Sequence, residues 1–365
     1  MPILQPGVIY SHDIPEVALD ISPEFFDISR PDAVLFNRIP VGNPLHNKAH
    51  EWFDDMLMPI SATLSQSYTA GSTTMRFDNG AFVREGSVLK IGRSIYRITS
   101  ANAKAKTATV HVLQNDTNHA VGATAEIIGN AQVEGKKFEN TASIRRVKRK
   151  NYTQIFNESA EVTGTMEYIA LVNGQRGVLA EELSKKLEYT YAQQGRAVWN
   201  GFPMESPDPE TAGMMGGVNY FISTYGYSPS PSSFSEKNID TFLAHLVNLG
   251  ATIPQIWCNP IVARRFADLM DEKVRVARED GAVGRYIHKY LSGIGAELEI
   301  VADPSCLTTS GFYVFNANNV FYRVLRPVRV EDIAKDGDST KKLITTEVSL
   351  EVRNSHTFGF FAIAS

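Results

Sequence analysis

Two histidines near the start of the chain have a spacing that could bind a metal ion. His46 and His50 lie four residues apart, which brings two imidazoles to one ion when the segment is helical. His50-Glu51 also begins like the H-E-x-x-H zinc motif, but Asp54 stands where that motif requires its second histidine. Prolines flank the segment on both sides and disfavour a helix. We therefore predict no metal site here.

Other catalytic patterns are equally incomplete. The chain contains no G-x-S-x-G, Walker or C-x-x-C motif. Gly293-Ile294-Gly295 lacks the third glycine of a dinucleotide fingerprint and precedes a predicted strand rather than a helix. The carboxylate pairs Asp54-Asp55 and Asp208-x-Glu210 fall in predicted loops, where solvated turns are the usual role. We predict no catalytic residue and no cofactor, although an active site built from distant segments stays open.

Composition narrows the function further. The 365 residues have a formal net charge of −4, so the chain as a whole lacks the positive field that nucleic-acid binding uses. Cys258 and Cys306 stand in apolar contexts and are predicted to be buried free thiols. No apolar run approaches the length of a membrane span, and the first residues do not resemble a secretory signal.

One local cluster of positive charge stands out. Five basic residues fall within six positions: Arg145, Arg146, Lys148, Arg149 and Lys150. This pattern is compatible with contacts to phosphates. It is also compatible with a strand whose polar face is solvated or meets carboxylates of a partner chain. We favour the second interpretation, because only Tyr152 supplies an aromatic ring for base stacking.

A long helix is predicted over residues 165–200. Apolar residues recur every four positions at Leu179, Leu183, Leu187 and Tyr191, with Met166, Ile169 and Val172 before them and Val198 after them. Glu182 and Lys186 are predicted to form an i,i+4 pair on the opposite face. Such a helix would span roughly 50 Å, enough for a strut across a flat molecule. Gly174 and Gly177 predict a break, after which the regular part begins at Val178, and Gly201 predicts the end.

Two different segments precede this helix. Residues 1–58 contain seven prolines, which should interrupt any helix, together with Ile9, Tyr10, Phe25, Phe26, Leu35 and Phe36. An extended arm with such anchors must bury them, either on the body of the chain or on another subunit. Residues 61–130 alternate apolar and polar side chains with period two, in the runs 73–77, 88–98, 107–113 and 125–128. This pattern predicts four or five short strands in a small β module, either barrel-like or a twisted sheet.

The second half of the chain mixes helices and strands. A helix is predicted over 239–249, and Asn259-Pro260 predicts the N-cap and first residue of another. Strands are predicted at 253–258, 296–301 and 343–352, and a hairpin over 312–325. The last strand has Ile344, Thr346, Val348, Leu350 and Val352 on one face. This half is therefore predicted to be α+β or α/β, and the chain as a whole is assigned to the α+β class.

The order of these parts resembles the major capsid proteins of tailed bacteriophages, which have the Hong Kong 97-type fold. The resemblance covers nearly the whole chain. It rests on Glu51-Trp52-Phe53, Val162 to Glu167, Leu183 to Glu188, Gly217-Val218, Trp257 to Pro260, Leu350 to Asn354 and Gly359-Phe360.

This resemblance implies a domain organisation. It gives residues 1–58 as an N-terminal arm, 59–135 as an extended loop enlarged into a β module, 136–214 as a peripheral domain containing the spine helix, 215–340 as an axial domain and 341–365 as return strands of the peripheral domain. The lysine–asparagine cross-link of some relatives has no matching pair in this sequence, so we do not expect it.

The resemblance also implies a function and partners. The chain would assemble with itself as pentamers and hexamers into an icosahedral shell around double-stranded DNA, in virions assembled in the host bacterial cytoplasm. A separate scaffolding protein, a decoration protein and the portal are further expected partners. No contact with a membrane is expected. The alternatives are a decoration or other virion structural protein, and an enzyme with a non-local active site.

Overall fold

The computed structural model describes residues 33–78, 83–135, 145–168, 178–230, 232–270, 289–335 and 337–364. The chain divides into two compact units, one formed by Trp52–Arg149 and the other by Met1–Glu51 with Lys150–Ser365. None of the described helices combines the length and the apolar character that a membrane crossing requires.

The described elements mix helix and strand throughout. The helices are α1 (Val34–Arg38), α2 (Gly164–Tyr168), α3 (Val178–Asn200), α4 (Val218–Tyr225), α5 (Glu236–Asn248) and α6 (Pro260–Met270). The strands are β1 (Ala49–Asp54), β2 (Ser61–Thr63), β3 (Thr74–Arg76), β4 (Ser87–Ile91), β5 (Ser94–Asn102), β6 (Thr107–Gln114), β7 (Thr124–Asn130), β8 (Val147–Tyr152), β9 (Gln154–Thr163), β10 (Gln255–Cys258), β11 (Lys289–Leu291), β12 (Glu297–Ala302), β13 (Gly311–Val314), β14 (Val320–Asp332), β15 (Ser339–Val352) and β16 (Gly359–Ala362).

Six strands of the unit Trp52–Arg149 close into a small barrel. Their order is β2-β7-β4-β5-β6-β3, and every neighbouring pair is antiparallel. The chain beside β3 returns to β2, because the amide of Ser65 donates to the carbonyl of Arg76 and that of Asp78 to the carbonyl of Thr63. The enclosed core consists of Ala62, Leu64, Tyr68, Met75, Phe77, Val83, Leu89, Ile91, Tyr96, Ile98, Ala108, Val110 and Ala125.

The barrel contains more strands than the predicted four or five. The run 88–98 forms two strands rather than one, because Gly92 turns the chain at a φ of +60°. β2 was not predicted either, since three residues are too few to show a period of two. The prediction of an all-β, barrel-like module is confirmed.

A five-stranded sheet forms the core of the second half of the chain. Its order is β11-β12-β10-β13-β16, with only the β10–β12 pair parallel. Helices α5 and α6 cover one face with a buried cluster that includes Phe242, Phe266 and Phe312. The opposite face is aromatic, and there Trp199 of α3 packs against Trp257 and Tyr313.

Two predictions for this region have different outcomes. The start of α6 is as predicted, since Asn259 Oδ1 accepts the amide of Ile261 at 3.0 Å and Pro260 is the first helical residue. The hairpin over 312–325 is wrong. β13 pairs with β10 and β16, whereas β14 pairs with β15 in another sheet, so the short turn at Ala317–Asn319 moves the chain between sheets.

The long closing strand organises a three-stranded sheet. β15 pairs with β14 on one side and β9 on the other, both antiparallel. The predicted inward face of β15 is confirmed, because its alternate residues are all buried: Ile344, Thr346, Val348, Leu350 and Val352. β16 follows β15 directly but lies in the five-stranded sheet, so the predicted return segment 341–365 contributes to both sheets.

Helix α3 packs on β9, as expected for the spine, and buries the predicted stripe only in part. It ends before Gly201, as predicted; residues 169–177, with the break predicted at Gly174 and Gly177, lie outside the described residues. Tyr191 is exposed, whereas Val198 of the stripe is buried as predicted, together with the adjacent Trp199. The ion pair on the surface joins Glu181 to Lys185 rather than the predicted pair.

Because its sheet closes on itself around its own core, we expect the barrel to unfold as a separate unit. Leu89→Ala empties a fully buried position and should cost about 2–5 kcal/mol of barrel stability. Hydrogen exchange should then accelerate in β4 to β7 and stay unchanged in β15. Lys90→Ala, at the exposed neighbouring position, is the matched control. Equal loss of protection in β15 would contradict the independence of the barrel.

Candidate functional site

The residues considered for metal chemistry have structural contacts instead. His50 lies on strand β1 rather than on a helix. Its Nε2 lies 2.7 Å from Oε2 of Glu351. Among the described residues, no group of three or more histidine, cysteine, aspartate or glutamate side chains is arranged to hold a metal ion.

The chain contains instead a junction where its N-terminal segment meets the spine helix and the five-stranded sheet. Asp303, just after β12, is fully buried and accepts three hydrogen bonds, each 2.8 Å long. Oδ2 accepts from the amide of Leu35 in α1 and from Nε1 of Trp199 in α3, and Oδ1 accepts from the amide of Ser305. One carboxylate therefore ties three separate segments together.

Apolar contacts reinforce this junction. Leu35 is fully buried, and the Cβ of Ala33 fills the space that a side chain at Gly195 would need. The ring of Phe36 meets Tyr322 edge to face, with 5.0 Å between centroids. The prediction left open whether these anchors are buried on the body of the chain or on another subunit. For Leu35 and Phe36 it is the body. The helix α1 itself corrects the expectation that prolines exclude helices from residues 1–58, because five residues fit between Pro31 and Pro40.

Beyond α1 the segment adds a short strand to the edge of β14. Val41 forms a parallel bridge with Tyr322. The amide of Gly42 donates to the carbonyl of Tyr322 at 2.9 Å, and that of Leu45 to the carbonyl of Val324 at 2.8 Å. A Cβ at Gly42 would crowd the guanidinium of Arg323, which would then have to shift. Residues 1–32 of the predicted arm lie outside the described residues.

A second buried carboxylate fixes the next part of the segment. Glu351 of β15 is nearly inaccessible and accepts from Nε of Arg323 and of Arg353, both at 2.6 Å, as well as from His50. Arg323 also donates to the carbonyl of Asn43 at 3.1 Å. Burial by itself raises the pKa of Glu351, but the hydrogen bonds from His50, Arg353 and Arg323 outweigh it and lower the pKa from 4.5 to about 2.

The basic run divides into paired and exposed members. Nε of Arg149 lies 3.2 Å from Oδ2 of the fully buried Asp54. Nζ of Lys150 lies 3.6 Å from Glu205 and 4.6 Å from the centre of the Tyr152 ring. Arg145 and Arg146 are exposed. At least two of the five charges are therefore committed to partners within the chain.

The barrel carries a polar cluster that the sequence did not suggest. The hydroxyl of Tyr96 lies 3.0 Å from Nε2 of His119 and 3.2 Å from Oδ1 of Asp116. Asp116 also accepts from Tyr68 and from the amide of Gly71. Burial lowers the pKa of His119, and the charge of Asp116 opposes this. These groups hold two barrel loops together, and none of them is a serine or cysteine that the histidine could activate.

Exposed apolar residues lie on both units. In the barrel unit they form a run that consists of Phe53, Met56, Leu57, Met58 and Ile60. In the other unit Ile261 and Leu307 stand on either side of Asn259, whose side chain contacts the backbone of both segments. Such residues are suited to contacts between subunits. The predicted burial of the two free thiols is confirmed, and burial raises the pKa of Cys258 to about 12 and of Cys306 to about 11.

Sequence patterns did not identify the two carboxylates that matter most. Glu351 lies in an apolar strand and Asp303 precedes a proline, and both positions suggest ordinary strand ends or turns. The one available signal for Glu351 is its position between Leu350 and Val352 in a strand with an apolar inner face. An acidic residue there can be buried only if cations from other segments reach it.

Comparison with known proteins places this geometry in context. The family model of the SU10 major capsid protein matches residues 8–364. No curated protein matches the chain. The capsid of a native GTA particle superposes with a TM-score of 0.56 at 8% identity, covering 97% of this chain and 98% of that chain.

Two phage structures are similarly close. One described as Mycobacterium phage Bobi has a TM-score of 0.51 at 9% identity, and covers 98% of this chain and 100% of its own. One described as Microbacterium phage Oxtober96 has a TM-score of 0.51 at 10% identity, with the same coverage. At these identities the similarity establishes the fold alone, which is the Hong Kong 97-like fold of capsid proteins.

The low pKa of Glu351 predicts a pH dependence. Its folded-state pKa lies below the ordinary value, so its contribution to stability is complete above about pH 4.5 and is lost as the pH falls towards about 2. Urea unfolding across this range should show the loss in the wild type. Glu351→Gln should be less stable at neutral pH and should show a flatter profile.

Glu331→Gln, at an exposed position of β14, is the control and should keep the wild-type profile. An unchanged pH profile in Glu351→Gln would show that the ion network is not what responds to acid.

Proposed function

This chain belongs to the SU10 major capsid protein family, and we propose that its copies build the icosahedral head shell around the double-stranded DNA of a tailed phage. That the chain is a major capsid protein that forms a shell follows from a family match over residues 8–364, together with the capsid fold. The family is structural rather than enzymatic. The match across nearly the whole chain is the observation that carries the proposal.

We propose the domain organisation that the family resemblance implies. It consists of an arm at 1–58, an extended loop at 59–135, a peripheral domain at 136–214 with return strands at 341–365, and an axial domain at 215–340. The closed barrel within Trp52–Arg149 supports the enlarged loop, and α3 on the β14-β15-β9 sheet supports a peripheral domain. The five-stranded sheet with α5 and α6 supports the axial domain.

The proposed partners are first of all other copies of this chain, in pentamers and hexamers. A shell needs many modest contacts between copies rather than one tight interface. The exposed apolar residues of both units provide surfaces of that kind. A scaffolding protein, a decoration protein and the portal are proposed as further partners. The virion is the proposed location, with assembly in the host bacterial cytoplasm.

A decoration or other virion structural protein is the alternative, because the barrel has the size of a binding domain. This alternative gives no role to the long spine helix, to the sheet on which the helix packs, or to the docked N-terminal segment. The family match also extends on both sides of the barrel, over the parts that a decoration protein would not need. We therefore retain the shell assignment.

For the basic run we propose contact with carboxylates of a neighbouring subunit rather than with DNA. Arg149 and Lys150 already pair with acidic side chains of their own chain, so this face is suited to carboxylate partners. Phosphate binding alone would not require such pairing.

The N-terminal arm gives a direct test of assembly. Residues 33–51 make their contacts on their own subunit, so the proposed reach to a neighbour depends on residues 1–32. Deleting residues 1–32 should leave the melting temperature within a few degrees of the wild-type value and abolish shells. Negative-stain microscopy of the purified wild type should show rings, capsomers or shells.

Changing Phe25 and Phe26 to serine should reproduce the assembly defect, whereas Asp27→Asn should assemble normally. Normal shells from the truncated protein would contradict the role of the arm. A wild type that stays monomeric at high concentration would contradict the shell function itself.

The basic run is tested at its exposed end. Replacing Arg145 and Arg146 by serine should reduce shell yield, because contacts between subunits lose their cations. The matched control is Arg93→Ser with Lys104→Ser, which removes two exposed charges elsewhere on the barrel unit. Shells that form in normal yield but fail to retain DNA would contradict the proposed contact with carboxylates and favour contact with phosphates.

A further inference from the structure

The surface on which residues 33–45 dock contains a buried hydrogen-bond donor with no acceptor. Trp257 of β10 is fully buried, and its Nε1 has no hydrogen-bond partner among the described residues. Phe315 stacks on its ring at 5.5 Å, and the guanidinium of Arg38, the last residue of α1, lies over the ring at 5.8 Å. The segment that carries Arg38 therefore covers an indole whose polar atom is unsatisfied.

A second unsatisfied donor lies under the same helix. Gln194 of α3 is fully buried, and its Oε1 accepts from the hydroxyl of Tyr322 at 2.8 Å. Its Nε2 has no partner among the residues that the structure describes. The next residue, Gly195, contacts Ala33, and Tyr322 contacts Phe36, so Gln194 lies between the two ends of the docked helix.

These two donors oppose docking of residues 33–45. Burying a donor without an acceptor reduces the equilibrium constant for docking roughly fivefold to a hundredfold, because the donor loses its hydrogen bond to water. Lifting the segment would return water to this surface. When the segment leaves, the cost of burying the donors of Trp257 and Gln194 is therefore removed. The hydrogen bonds to Asp303 and to the edge of β14 are lost at the same time.

The polar contacts that favour docking are limited in number. They comprise the bond from Leu35 to Asp303, the edge bonds of Pro40, Gly42 and Leu45 with β14, and the bond from Arg323 to Asn43. The ion pair between Arg38 and Glu299 is about two-fifths exposed on both sides, and exposed pairs contribute little. α1 is only five residues long and has no side-chain N-cap. Burial of Leu35, Ile39 and Leu45 also favours docking, and the two unsatisfied donors subtract from this stabilisation.

We propose that residues 33–45 form a releasable latch, whose docking on the spine helix and the aromatic face of the sheet is weakened by the unsatisfied donors of Trp257 and Gln194. The latch opens while the rest of the subunit stays folded. In a shell, release of this segment extends the reach of the preceding arm towards a neighbouring copy. That consequence rests on the proposed function, whereas the opening is a property of a single subunit.

Hydrogen exchange followed by mass spectrometry on the full-length chain tests the latch without requiring assembly. Peptides covering residues 39–48 should exchange at least tenfold faster than peptides covering 344–352, which report on the buried strand β15. In Trp257→Phe the orphan donor is removed while the stacked ring is kept. Exchange of residues 39–48, relative to β15, should slow about fivefold or more.

Trp199→Phe is the matched control, because it makes the same change in a neighbouring indole whose Nε1 is satisfied by Asp303. It should accelerate exchange of residues 39–48 relative to β15. Opposite shifts in the two variants are the signature of the latch. An unchanged or faster exchange in Trp257→Phe, or equal rates for the two peptides in the wild type, would overturn it. A failure of shell assembly with these shifts intact would count against the proposed function only.

Discussion

The buried carboxylate of Asp303 is the interaction on which the arrangement of the larger unit depends. A carboxylate removed from water must be satisfied by donors, and among the described residues no lysine, arginine or histidine pairs with it. It is satisfied by Leu35, Trp199 and Ser305, which belong to three distant segments. Loss of this carboxylate would therefore weaken the positions of all three segments at once.

The same principle recurs at the three-stranded sheet. Glu351 is buried near the end of the closing strand and pairs with Arg323, Arg353 and His50. Through Arg323 it also holds the segment added beside β14. The barrel needs no such arrangement, since its sheet closes on an apolar core. A shell protein built this way combines a body fixed by a few buried charges with an inserted module that folds around its own core.

The sequence predicted what depends on periodicity and on local caps. The end of α3 before Gly201, the cap at Asn259 and the inward face of β15 follow from residues close in the chain. The family resemblance supplied the order of the parts. The hairpin over 312–325 was wrong because two adjacent apolar strands do not show that their partners lie in different sheets.

The junction residues were missed for the same reason. Nothing near Asp303 indicates that its donors come from residues 35 and 199. Trp199 joins the predicted Val198 in the buried part of α3, next to Gly195, where the distant residue Ala33 approaches the helix. The periodicity of a single sequence does not predict polar contacts between segments that are far apart in the chain.

Hydrogen exchange on Asp303→Asn tests the account most directly. The amide keeps the size of the side chain but places a donor against the existing donors, so protection should fall together in residues 33–45, in the last turn of α3 and in residues 303–306. Asp208→Asn, which caps an exposed turn, should change exchange only near residues 208–211. Loss confined to residues 303–306 would show that the three segments hold their positions independently, and would contradict the account.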